Sequence, residues 1–119
     1  SSYFSRDELK CKHCGVYHFD EQFLEVLNRI REDCGFPLYV TSGYRCPQHP
    51  EEVHKSRPGA HTKGLAVDLA VQGHKAYFLV ESAVRYAVPR IGVSQNKDGP
   101  RFIHLDIDFD LPNPTIWSY

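Results

Sequence analysis

His61-Thr62-Lys63-Gly64-Leu65-Ala66-Val67-Asp68-Leu69-Ala70-Val71 decides how the rest of the chain is read. From Leu65 onward it alternates. Leu65, Val67, Leu69 and Val71 point one way, and Ala66, Asp68 and Ala70 point the other, which is the period of a strand with one face in a core. Asp68 lies between two alanines, so the opposite face has room above it for something other than a side chain. A second alternating stretch runs from Phe102 to Phe109. Ile103, Leu105, Ile107 and Phe109 form its apolar face, and Phe102, His104, Asp106 and Asp108 its polar one. If the two strands are neighbours, Asp68 and His104 meet over one side of the sheet. His61, held on the short turn Thr62-Lys63-Gly64, folds back over Asp68, and Gly64 permits the tight backbone this needs.

Outward from these strands the pattern is helix, strand, loop, strand, helix, strand, strand. Asp20 is a helix N-cap, Phe23, Leu24, Leu27 and Ile30 recur at helical spacing, and Gly35 with Pro37 ends the run. Leu38–Thr41 reads as a short strand closed by Ser42-Gly43. Residues 47–60 read as a loop with one helical turn near Pro50–His54. Ala76, Val80, Ala83, Val84 and Ala87 form the stripe of a second helix stopped by Pro89. Ile91–Ser94 is a strand, joined by the turn Asn96-Lys97-Asp98-Gly99 to the Phe102 strand, so those two pair antiparallel. The expected fold is α+β: a small antiparallel sheet with helices packed on one face and a metal site on the other.

The chain of 119 residues is expected to form a single domain over 1–119, its polar, Cys-bearing segment 1–18 wrapping the surface. Hydrophobic residues make up 41% and charged residues 24%, the balance of an ordinary globular protein. With 14 basic against 15 acidic residues, the chain lacks the basic excess of a nucleic-acid binder. No apolar run reaches the roughly 18 residues of a membrane span, and the start does not read as a signal peptide. Ser1-Ser2 and the absence of Met suit a trimmed or processed chain.

Seven His and four Cys in so short a chain raise metal chemistry. Two imidazoles and one carboxylate, here His61, Asp68 and His104, are the protein ligands of a catalytic zinc site, and mixed N/O donors suit Zn2+ better than magnesium or calcium. The same spacing also fits a polar loop histidine followed by a solvated strand face. Cys11 and Cys14 form C-x-x-C with His13 inside it, and Cys34 and Cys46 follow. Two disulfides, a second structural zinc and reduced packed thiols are all compatible with that spacing. His49, His54 and His74 read as solvated, and Trp117 as an aromatic capping the core.

Taken together, the motifs resemble a known family. His61-Thr62-Lys63-Gly64-Leu65-Ala66-Val67-Asp68 fits H-x-x-G-x-A-x-D, and Phe102-Ile103-His104-Leu105-Asp106 looks like its later H-x-D strand. Thr41-Ser42-Gly43-Tyr44-Arg45-Cys46-Pro47 resembles the T-S-G-Y-R-C-P stretch, and Phe4–Cys11 the start of bacterial and phage members. These are features of the M15 peptidases, zinc D-Ala-D-Ala carboxypeptidases and related peptidoglycan endopeptidases. The resemblance, from about Phe4 to Trp117, implies a Zn2+ cofactor on His61, Asp68 and His104 and a peptidoglycan stem peptide as substrate. That substrate implies action in the periplasm or outside the cell, or cytoplasmic storage before phage-type lysis. The resemblance also implies that Arg45 binds the substrate carboxylate or the developing oxyanion. Two positions depart from the pattern. Gly59 replaces a serine near the site, and Arg101 stands where relatives carry the catalytic carboxylate, three residues before the last histidine. Asp106 is then the first candidate for the base or for a carboxylate that orients a ligand imidazole, and Asp98 is the second. The Arg101 departure also admits a zinc-holding binding module without turnover.

Overall fold

The computed structural model describes residues 2–119. The elements are α1 (Arg6–Leu9), α2 (Glu21–Cys34), β1 (Tyr39–Ser42), a 3-10 turn (Ala60–Lys63), β2 (Ala66–Ala70), α3 (Gly73–Arg85), β3 (Arg90–Ser94), β4 (Phe102–Asp106) and β5 (Thr115–Ser118). The strands form one sheet in the order β1-β2-β4-β3-β5. Every neighbouring pair is antiparallel except β3 and β5, which run parallel at the edge.

The local chemistry explains the helices. The Asp20 carboxylate accepts the Phe23 N–H at 2.9 Å to open α2, and Gly35 closes it in the left-handed region at φ 74°. Phe23, Leu27 and Ile30 are its buried face. They join Leu79 and Ala83 of α3 and Val67, Leu69, Ile91, Ile103 and Leu105 of the sheet in one core. Each fully buried Leu or Ile there is worth about 1.5–3 kcal/mol. The expected α+β arrangement is therefore present, with the large helices on one face.

Several expected details differ. The N-terminal wrap contains α1, whose capping box joins Ser5 and Glu8 reciprocally; the sequence signal was S-x-x-E. The buried stripe of α3 is Ala76, Leu79, Ser82 and Ala83. Val84 is exposed, and Ala87 lies beyond the helix end at φ 61°. Strand β4 stops at Asp106 rather than Phe109, because the Asp106 carboxylate accepts the Asp108 N–H at 3.1 Å and turns the chain. Strand β5 was unexpected; Pro112 and Pro114 in its approach hid it.

Register across the sheet sets up the opposite face. Ser42 pairs with Asp68, Asp68 with His104, His104 with Gly92, and Gly92 with Trp117. These residues form one row on the side away from α2 and α3, because neighbours in register project to the same face. Gly92 makes the row possible: a Cβ there would lie 2.8 Å from the Trp117 indole. The indole instead packs on the His104 ring, with centroids 5.3 Å apart.

We expect Gly92→Ala to displace that indole and destabilise the fold by about 1–3 kcal/mol. Trp117 is the single tryptophan, so its emission together with the denaturant midpoint reports both effects; an unchanged spectrum and midpoint would refute the packing argument.

Candidate metal centre

The turn before β2 is pinned at both ends. Gly64 sits at φ 73°, where an added Cβ would meet the His18 carbonyl oxygen at 2.5 Å. Lys63 places its ammonium 2.9 Å from Asp108 Oδ2, just past β4. Asp108 is buried, so this pair ties the segment carrying His61 to the end of the strand carrying His104.

His61, Asp68 and His104 are only 5%, 8% and 7% exposed, and one donor atom from each lies within 4.8 Å of the others. His61 Nδ1 lies 2.7 Å from the Gly43 carbonyl oxygen. A carbonyl only accepts, so Nδ1 carries the proton and Nε2 keeps its lone pair. That Nε2 is 3.4 Å from Asp68 Oδ1. His104 is held the other way round: Nε2 is 2.6 Å from Asp106 Oδ2, and Nδ1 is 2.9 Å from Asp68 Oδ1. With Nε2–H given to Asp106, His104 offers Nδ1 to the side where Asp68 and His61 converge. Two nitrogens and one carboxylate, each imidazole oriented by an acceptor behind it, fit a zinc ion with open positions.

Burial would raise the Asp68 pKa, but the facing imidazoles of His104 and His61 outweigh it and hold the carboxyl well below the usual range. Burial would lower His104; its bonds to Asp106 and Asp68 prevail and push it up.

Arg45 spreads its guanidinium over three partners: Ser42 Oγ at 3.0 Å, Glu52 Oε2 at 3.1 Å and Asp68 Oδ2 at 3.3 Å. It lines a cleft of about 400 Å³ with the three candidate ligands, Trp117 and Tyr119. Asp106 also borders this cleft, but it stands behind His104, across the ring from the converging donors. Its other oxygen is 2.9 Å from Arg90 Nε. That placement favours the orienting role over the base. Asp98 is exposed in the β3–β4 turn and does not line the cleft. Arg101 also points elsewhere, to Asn96 O and Gln72 Oε1.

Sequence reading missed Glu52, Glu51 and Arg90. Glu52 is buried and accepts from Arg45, Lys55 and Thr62. Glu51 lines the cleft, exposed and without a cation partner among the described residues. Glu51 and Glu52 sit in an irregular loop where no periodicity marks them. Arg90 could have been found from its register with Asp106 once β3 and β4 were paired.

A scan against protein-family models matches the family described as Peptidase M15 over residues 2–106. No curated protein matches the chain. No helix among the described residues is long and apolar enough to cross a membrane.

Two outcomes follow. Asp106→Asn should keep the fold and weaken zinc affinity about 10–100-fold by calorimetric titration; unaltered affinity would deny Asp106 its orienting role. Burial would raise the Glu52 carboxyl, but hydrogen bonds from Lys55, Arg45 and Thr62 lower it below its ordinary value of 4.5. Its contribution is thus complete above that value and is lost as pH falls through the lower folded one. Glu52→Gln should be less stable by about 2 kcal/mol at pH 7, with the gap closing in acid; a gap independent of pH would contradict the ion-pair assignment.

Proposed function

The chain belongs to the peptidase M15 family, whose members are zinc-dependent metallopeptidases, and from that premise we propose that it hydrolyses a peptide bond in peptidoglycan stem peptides, with Zn2+ held by His61, Asp68 and His104. The observation that carries the ligand assignment is the pair of opposed imidazoles, one backed by Gly43 O and the other by Asp106, both facing Asp68. When bound, zinc supplies a water ionised near neutral pH and a Lewis acid for the scissile carbonyl.

The remaining work falls to side chains around the cleft. Arg45 stands beside Asp68 with N–H groups fixed by Ser42 and Glu52, a placement suited to holding the carbonyl oxygen as negative charge develops. Tyr119 and Trp117 supply the apolar wall against which a peptide lies. The proton released by water needs a carboxylate. Asp68 is engaged by both histidines, Asp106 by Arg90 and His104, and Glu52 by two cations. Glu51 is the cleft carboxylate left free among the described residues, and we assign it the transfer of that proton to the leaving amine.

A second reading, a zinc-holding binding module without turnover, draws on Arg101 occupying the position of the usual carboxylate. Digestion of purified stem peptides and cross-linked dimers, followed by mass analysis, separates the readings. Release of terminal alanine marks a carboxypeptidase, and a split stem or cross-link an endopeptidase. Intact peptides with zinc bound would support the binding module and overturn the hydrolase. Glu51→Gln should retain zinc and lose about 100-fold or more in kcat; full turnover would move the proton transfer elsewhere.

A further inference from the structure

A second group of soft donors lies outside the cleft. Cys11, Cys14 and Cys46 bring their sulfurs within 4.8 Å of one another, and all three are free thiols. The backbone around the first two is a tight reverse turn. Gly15 N–H donates to Cys11 O at 2.8 Å and Cys11 N–H to Val16 O at 2.8 Å, with Gly15 at φ 79°. The Cys46 N–H points at Cys11 Sγ at 3.2 Å. A backbone donor aimed at a sulfur favours the thiolate that a metal takes.

One imidazole borders the sulfurs, and the His49 ring stands beside it with centroids 6.1 Å apart. His13 Nδ1 is 3.4 Å from Cys46 Sγ, close to the roughly 3.5 Å that two ligands subtend on a tetrahedral zinc with ordinary Zn–S and Zn–N bonds. His49 follows Cys46 at C-x-x-H spacing. Its Nδ1 accepts the Glu51 N–H at 3.0 Å, which leaves Nε2 for a metal.

We propose that Cys11, Cys14 and Cys46, with an imidazole from His13 or His49, bind a second zinc-class cation as a structural clip. Each thiol gives its proton to solvent on binding, so three thiolates and one neutral nitrogen complete the shell. The clip fastens the N-terminal wrap to the loop that follows β1. Two close approaches already join these segments: Tyr44 N–H donates to Leu9 O at 2.9 Å, and a Cβ on Gly43 would lie 2.5 Å from that same oxygen. Arg45 is the residue before Cys46, and Gly43 supplies the carbonyl behind His61. The clip therefore fixes the backbone that positions two cleft groups.

The test uses the full chain, reduced and stripped of metal, then titrated with Co(II). Wild type should take up two equivalents, one of them giving a thiolate-to-cobalt charge-transfer band. His61→Ala/His104→Ala should take up one equivalent and keep the band. Cys14→Ser, at an exposed position, should lose the band and still fill the other site. His13→Ala/His49→Ala should keep the band and alter the ligand-field absorption. In zinc-loaded wild type only Cys34 should react promptly with a thiol reagent, and chelation should release three more thiols. Absence of the charge-transfer band, or prompt reaction of Cys11, Cys14 and Cys46 with zinc present, would overturn the proposal. An unchanged ligand field in the double histidine variant would overturn the imidazole assignment.

Discussion

A buried carboxylate facing two imidazoles is the constraint on which the site depends. Asp68 sits in the middle of the sheet, almost wholly removed from water, where an unpaired charge would cost several kcal/mol. His61, His104 and Arg45 all direct nitrogens at it. Each of these groups is anchored from behind: His61 by Gly43, His104 by Asp106, and Arg45 by Ser42 and Glu52. The cluster is thus a set of donors whose orientation is determined by a surrounding ring of acceptors, the arrangement that lets a metal bind without reorganising its ligands.

The sheet supplies this order through register. Because β2, β4, β3 and β5 pair in line, one row carries Asp68, His104, Gly92 and Trp117, and the next carries Ala66, Asp106, Arg90 and Thr115. The first row holds two of the three candidate ligands, Asp68 and His104, while His61 stands on the turn before β2. The second holds the ion pair that backs them, with Arg90 also lying over the Trp117 ring at 4.8 Å. On the reverse face the intervening residues fill the core beneath α2 and α3. A slip of one residue in β4 would bury His104 among leucines and send Ile103 into the cleft, so core packing and site geometry enforce the same register.

This coupling explains what could be read from sequence. Period-two alternation in Leu65–Val71 and from Phe102 gave the strands and their faces, because hydrophobic burial writes itself into local spacing; that Asp68 meets His104 was read only on the condition that the two strands are neighbours, which the register supplies. The Asp20 cap and Gly35 terminator were legible for the same reason: their chemistry is local. Strand β5 was not, since Ile116 is exposed and the segment owes its place to pairing with β3 rather than to its own pattern. Asp106 was legible as a residue near the site but not in its orientation, which depends on which nitrogen of His104 faces the sheet interior. Glu51 and Glu52 lie in a loop whose path is set by contacts distant in sequence, among them Thr62 and Arg45.

Crystals of the zinc-loaded protein measured on both sides of the zinc absorption edge test the central claim most directly. The account predicts an anomalous peak bounded by His61 Nε2, the Asp68 carboxylate and His104 Nδ1, with Asp106 still bonded to His104 Nε2. Density for zinc elsewhere with that position empty, or zinc on the Asp106 side of the His104 ring, would contradict it.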